Sequence, residues 1–251
     1  MSRIPGQQVV GWVDVSPRVL APERFVPYGP GEIDGLFDWG ENPNGKSAHC
    51  SPYRGQLIID VVKFDPNAVH QPHKPGDEIV VVLNGTLHLT TDATGETLVI
   101  NQGERVLIPS GWAGIYRVSS NNGPFAEFTI VPGDYFDKNV APPPNRETPR
   151  RIDPPQREGV QEIHKGLYTV HAERWGQRRF WSIQTEGDEV IQVLDGTLVL
   201  TSGEANAAFG AGDVVVLPKG FVGQATATAG YAALIARWAT NPARTATTPI
   251  R

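Results

Sequence analysis

The chain has one cysteine, Cys50, and one methionine in 251 residues. A lone thiol cannot close an internal disulfide, so no covalent staple is expected, and a reducing, cytoplasmic compartment is. Basic runs are missing as well. With a formal net charge of −5 and no Lys/Arg block, the electrostatic footprint of a nucleic-acid binder is absent. No stretch approaches the roughly 18 apolar residues of a membrane span, and residues 1–20 carry no apolar leader core. Nucleic acid and membrane are therefore not expected partners. Apolar residues nowhere keep a helical period over several turns, which speaks against a helix bundle.

What the chain has instead is turn chemistry and repetition. Its 27 glycines and 22 prolines suit many short strands joined by tight turns. Residues 77–90 (DEIVVVLNGTLHLT) return 111 positions later as residues 188–201 (DEVIQVLDGTLVLT), with nine of fourteen positions identical. A second block, GERVLIPSGWAG at 103–114, returns as GDVVVLPKGFVG at 212–223. Two copies of one unit in this length imply two domains. Their limits fall at 1–136 for an N-terminal segment plus the first unit, 137–158 for a Pro- and charge-rich linker, and 159–251 for the second unit and tail.

Within the first unit the pattern predicts strands at 56–63, 78–83, 86–90, 96–100, 105–108, 114–118 and 126–131. Asn84-Gly85 and Asp195-Gly196 are hairpin dipeptides, whose two central positions both favour positive φ. Val80, Val82 and their neighbours are apolar on both faces, so that strand is expected to be covered on both sides.

Glu, six residues, Gly, followed by Gly, five residues, Pro-x-Gly, resembles the two motifs of the cupin superfamily, small jelly-roll β-barrels. The first motif is met by Glu78 and Gly85 and again by Glu189 and Gly196. The second is met by Gly103, Pro109 and Gly111 and by Gly212, Pro218 and Gly220. The resemblance covers about residues 47–131 and 163–238. It implies an all-β fold of two jelly-roll (cupin) β-barrels in tandem, a bicupin, with the N-terminal segment covering an exposed strand edge of the second barrel or of a neighbour. PSGWAG and PKGFVG further resemble the ethanolamine-utilisation-like and ureidoglycine-aminohydrolase-like branch, with Trp112 and Phe221 at its aromatic position. Tyr116 stands where that branch commonly carries Trp, and the second copy has Ala225 there.

A metal-binding cupin resembles His-x-His, then Glu, then a last His three residues after the Pro-x-Gly glycine. Carried over, these positions are Gln71, His73, Glu78 and Gly114 in the first copy and Ser182, Gln184, Glu189 and Gly223 in the second. The resemblance thus implies at most one divalent transition metal (Mn, Fe, Ni or Zn), held by Gln71, His73 and Glu78 in the first barrel. The missing last imidazole argues against a dioxygenase with three His and one Glu on iron. Without metal, His73 and Glu78 would form a proton-transfer pair. The resulting site has His73, Glu78 and Tyr116 as catalytic residues, with His70, Gln71 and Trp112 around the substrate.

Plainer readings stand beside these. His70 and His73 flank prolines in a loop, Glu78 and Glu189 could serve turn geometry, and Trp112 could be core. Arg174, Arg178 and Arg179 could grip an anion or line a solvated edge. His49 and Cys50 read as strand packing, His88 as a surface or packing residue, and His164 and His171 have no partner motif. The function expected is an enzyme on a small polar metabolite, hydrolase- or isomerase-like, using the first barrel. The rival is a metal-free binding or structural cupin, for which a homodimer is natural.

Overall fold

The computed structural model describes residues 11–16, 26–27, 37–38, 47–72, 74–135 and 147–239; for residues 26, 27, 37, 38, 47 and 70–72 it describes the backbone only. The described residues contain strands and turns and no helix. The chain divides into two compact units, residues 20–153 and residues 1–19 with 154–251.

The shortest strands come first: β1 (Val13–Asp14), β2 (Val26–Pro27) and β3 (Phe37–Asp38). The first unit continues with β4 (Ser47–Arg54), β5 (Leu57–Phe64), β6 (Val69–Pro72), β7 (Glu78–Asn84) and β8 (Thr86–Thr91). It closes with β9 (Thr97–Asn101), β10 (Arg105–Ile108), β11 (Gly114–Ser119), β12 (Phe125–Pro132) and β13 (Arg150–Arg151). Its two antiparallel sheets run β13-β10-β7-β12-β5-β4-β2 and β3-β6-β11-β8-β9. The core lies between them, where Val62, Phe64, Val80, Val82 and Phe125 of one sheet meet Leu87, Leu89, Tyr116 and Val118 of the other. Ile79 and Val81 on the opposite side of β7 are buried too, as its unbroken apolar run requires.

The second unit repeats the plan with β14 (Gly159–Lys165), β15 (Tyr168–Trp175), β16 (Arg179–Gln184), β17 (Glu189–Asp195) and β18 (Thr197–Ser202). β19 (Ala205–Gly210), β20 (Val214–Leu217), β21 (Val222–Ala227) and β22 (Tyr231–Trp238) complete it. Its sheets run β1-β20-β17-β22-β15-β14 and β16-β21-β18-β19. Strand for strand, β10-β7-β12-β5-β4 answers to β20-β17-β22-β15-β14, so the sequence duplication is a duplication of two-sheet barrels.

Both barrels cover the same sheet edge with a two-residue strand of different origin. β13, from the segment read as linker, pairs with β10, and β1, from the N-terminal segment grouped by sequence with the first barrel, pairs with β20. Residues 11–16 therefore belong to the second unit. Ser16 anchors them, its hydroxyl donating to Val214 O at 3.2 Å and its oxygen accepting from Val214 N at 2.9 Å.

The β7–β8 connection differs from the two-residue hairpin expected. Only Gly85 has positive φ (+88°), and Asn84 stays in the strand, its amide donating to Ser120 Oγ, Asn122 O and Pro124 O. A Cβ on Gly85 would collide with Ser119 O, which ties this position to glycine.

Candidate functional site

Strand alternation carries charged groups into the first barrel. On β12, Phe125, Glu127 and Thr129 share a face, and Glu127 lies in register with Val62 and Val82, both core residues. On β5, Asp60 shares the face of Val62 and pairs with Thr129. On β7, Glu78 shares the face of Val80. Tyr116 of β11 closes the same core from the facing sheet.

These groups form linked pairs. Lys74, 2% exposed, donates from Nζ to Glu78 Oε2, and the Tyr135 hydroxyl donates to the same oxygen at 3.3 Å. The Tyr116 hydroxyl donates to Glu127 Oε2. Lys74 Nζ lies 5.2 Å from the centroid of the Tyr116 ring, so one ammonium joins both pairs. Further along β5, Ser51 Oγ donates to Asp60 Oδ1 at 2.8 Å, and His49 Nδ1 stands 3.6 Å from that oxygen.

Burial, helped by the charge on Glu78, pushes the Glu127 carboxyl up to about 8; the Tyr116 hydrogen bond and the Lys74 charge pull against it. The Tyr116 hydroxyl is raised well above its ordinary value by burial first, then by Glu127 and Glu78. At neutral pH Glu127 therefore holds a proton inside the barrel.

The residues expected from sequence fall out unevenly. Glu78 and Tyr116 are in the lumen, but Tyr116 bonds Glu127 rather than Glu78. Trp112 is core: its ring is buried and its indole N–H donates to Thr91 Oγ1 at 3.0 Å. The backbones of His70 and Gln71 lie on β6, His70 opposite Tyr116 and Gln71 opposite Asp38. Their side chains, and His73 altogether, lie outside the described residues. Cys50 is buried and in no disulfide, and His88 reaches Ser119 Oγ at 3.5 Å on the partly exposed face of β8.

The described donors do not fit a resident divalent ion. Glu78 is taken up by an ammonium, and the last ligand position, Gly114, could not carry an imidazole without displacing its neighbours. A Cβ there would run into Thr90 O and the ring of Trp112. Gly223 is blocked the same way, by Thr201 O at 2.5 Å and the Phe221 ring at 2.7 Å. Among the described residues no group of three His, Cys, Asp or Glu is placed to hold a metal.

The second barrel is less bare than its motif positions imply. Its repeated carboxylate, Glu189, accepts from Arg237 Nε at 2.7 Å, where the first barrel uses Lys74. The register puts His171, Glu173 and Trp175 of β15 opposite Ile235, Ala233 and Tyr231, all core residues of this barrel. Glu173 and Tyr231 are both buried, and the Tyr231 hydroxyl is raised well above its ordinary value by burial first, then by the charges of Glu173 and Glu189. Burial, then the Glu189 charge, raises Glu173 to about 7, while Trp175, Arg237 and Arg179 pull it back. Burial, with Arg237 beside it, lowers His171.

Sequence reasoning missed Lys74, Glu127, Glu173 and Arg237. A signal was present for Glu127, the single charge of its strand (FAEFTIVP), since a lone charge among inward apolar positions is rarely idle; Glu173 sits in a more polar strand (YTVHAERW), beside His171 and Arg174, and is less marked.

Comparison with known proteins agrees with this architecture. Residues 176–232 match the model of the EutQ-like cupin domain. No curated protein matches the chain. Among solved structures, the putative glyoxylate-induced protein of Pseudomonas aeruginosa is 15% identical, with TM-score 0.60, over 99% of this chain and 97% of its own. A protein of unknown function of the DUF861 family from Pseudomonas syringae is 14% identical, with TM-score 0.58, over 90% and 98%. A variant of Bacillus subtilis oxalate decarboxylase, a protein with Mn(II) centres, is 13% identical, with TM-score 0.52, over 96% and 80%. At these identities the likeness concerns the fold. The two barrels of this chain have the cupin fold, and the second contains the stretch that matches the EutQ-like cupin domain.

Proposed function

We propose that the first barrel is a metal-independent acid–base site for a small polar metabolite, hydrolase- or isomerase-like in its chemistry. The observation that carries this reading is the Tyr116–Glu127 pair, sealed in the lumen beside the Lys74–Glu78 pair. Glu127 is a carboxylic acid able to give or take a proton near neutral pH, which suits a general acid–base group. Lys74 supplies a fixed positive charge against which negative charge on a substrate oxygen can develop, in surroundings too dry to screen it. Tyr116 holds Glu127 in place and offers a second hydroxyl. His70 and Gln71, on the strand beside Tyr116, and His73, which follows them in the sequence, are the residues we assign to the substrate's approach, and the Gln71–His73–Glu78 metal set becomes the secondary reading.

The test is a thermal-shift screen of small hydroxy-, keto- and amido-acids against the full chain, followed by turnover assays on the hits. A hit whose conversion is abolished by Glu127→Gln, with binding retained, supports the reading. A rate carried equally by wild type and Glu127→Gln would sink it. A metal-free binding protein is the outcome if ligands bind and none is turned over.

A further inference from the structure

The outer faces of the two smaller sheets differ in charge. In the first barrel, Arg117 of β11 stands opposite His88 of β8, and Val69 and Val99 extend that row across β6 and β9. The same row of the second barrel reads Phe180, Thr226, Val199 and Ala208. The fold thus tolerates a cation at the centre of this face, and the second barrel has none. Alternation sends Ile183, Ala225, Leu198, Leu200 and Phe209 into the core, so the residues between them point outward. Three outward positions on each of β16, β21, β18 and β19 include no Asp, Glu, Lys or Arg, in a chain that is 20% charged. The outward positions of β16 are all exposed, as are Asn206 and Ala208 at the opposite edge. Phe180 is 60% exposed and Val222, on the same face, 59%. Single apolar groups on a surface are ordinary, but a phenyl in an apolar row on a face without charge has the composition of an interface core.

We propose that the outer face of β16, β21, β18 and β19 is where the chain pairs with a second molecule of itself. Each molecule has a net charge of −5, so contact between two of them is least opposed through a face that sets no charge against its like. Beside the apolar row runs a row of Ser182, Gln224, Thr201 and Asn206. Hydroxyls and amides both donate and accept, so this row can bond to its own image. The corners are complementary as well. Arg178 precedes β16 at one corner, Glu204 lies in the β18–β19 turn at the diagonally opposite one, and both are exposed. A two-fold axis in the plane between those corners brings each Arg178 toward Glu204 of the partner subunit and crosses the strands near a right angle, an isologous form of orthogonal sheet packing. Four strands about 4.8 Å apart, each about six residues long, cover roughly 400 Å2, so two faces bury roughly 800–1,000 Å2. That is the low end for specific contact, which makes the dimer weak and reversible, with a Kd of about 10–100 μM. The pairing does not depend on the acid–base reading of the first barrel.

Sedimentation velocity of the full chain over about 1–500 μM tests it. Wild type is expected to move from one chain mass toward two as concentration rises. Thr226→Arg gives the second barrel the residue that the first carries at that place, and is expected to weaken association by about tenfold or more. Phe180→Ser, at an exposed position, is expected to act in the same direction should Thr226→Arg fail to fold, which thermal melts report. Val160→Lys, at an equally exposed side chain on β14 of the other sheet, is expected to change nothing. Arg178→Glu should weaken the dimer by about threefold, and adding Glu204→Arg should recover that loss. A monomer throughout, undiminished association in the folded face variants, an equal loss in Val160→Lys, or no recovery by Glu204→Arg would each overturn the proposal.

Discussion

Lys74 Nζ donates to Glu78 Oε2 with both side chains almost fully buried, so the carboxylate that opens the repeated block is neutralised by a lysine four residues before it. In the second barrel the equivalent Glu189 is met instead by Arg237, on the last strand of the fold. Position 185, the counterpart of Lys74, is threonine, and position 131, the counterpart of Arg237, is valine. The carboxylate is common to both copies, and the cation has moved from the β6–β7 connection to β22. A buried ion pair of this kind is weak evidence for net stability, yet breaking it from one side is expensive.

Lys74→Met is therefore expected to destabilise the protein by about 3–5 kcal/mol, since it strands the Glu78 charge in the barrel. The double variant Lys74→Met/Glu78→Gln should recover more than half of that loss. Urea unfolding of the three proteins measures both figures. A single-variant cost near zero would mean that the pair does not exist in solution.

Glu127 gives a pH signature whose sign is fixed by its raised folded value. The carboxyl ionises near 4.5 in the unfolded chain and near 8 in the fold, so the folded state binds the extra proton in between. Stability is then full below pH 4.5 and declines as pH rises toward 8, at about 1.4 kcal/mol per pH unit for this one group. Glu173, raised to about 7, adds the same slope over a narrower window. Glu127→Gln should flatten the decline between pH 5 and 8 and leave the variant more stable than wild type at pH 8. Thermal melts across that range decide it; parallel curves would show that Glu127 is ionised in the fold.

The duplication and the strand pattern made the fold legible. Two blocks in a fixed order carry the turn glycines and the covered strand β7, and the expected strands 105–108 and 114–118 coincide with β10 and most of β11. The site was legible only where a motif marks it. Glu78 and Tyr116 could be reached by position, whereas Lys74 resembles any loop lysine until the chain folds it inward. Glu127 is joined to Tyr116 across eleven residues and a strand change, a contact set by sheet closure rather than by spacing. Trp112 could be read from the motif either as a substrate wall or as core, and its buried ring, with the N–H satisfied by Thr91, is what the core reading expects.

That role for Trp112 makes Gly114 a tight position. Its Cβ would meet the Trp112 ring and Thr90 O, and backbone cannot swing aside. Gly114→His, which would restore the fourth imidazole of the family pattern, is expected to cost about 1–3 kcal/mol or more through overpacking. Gly114→Ala should already show much of that cost, because the obstacle lies at Cβ. If urea midpoints of both variants equal that of wild type, the barrel has more room beside Trp112 than this geometry allows.

The ammonium of Lys74 also sets how the first barrel should respond to metal. With Glu78 already neutralised, a divalent ion must displace a lysine before it gains a carboxylate, so millimolar Mn2+ should leave the wild-type Tm unchanged. Removing the lysine reverses the balance. In Lys74→Ala the stranded Glu78 carboxylate is an open ligand beside the segment that carries Gln71 and His73, and an ion bound only by the folded state stabilises it by mass action. Mn2+ is then expected to raise the Tm of Lys74→Ala by several degrees and to restore part of the stability lost with the lysine. Glu78→Gln added to that variant should abolish the response, because the carboxylate is the ligand the ion needs. A Tm rise in wild type as large as in Lys74→Ala would show that lysine and metal do not compete for Glu78.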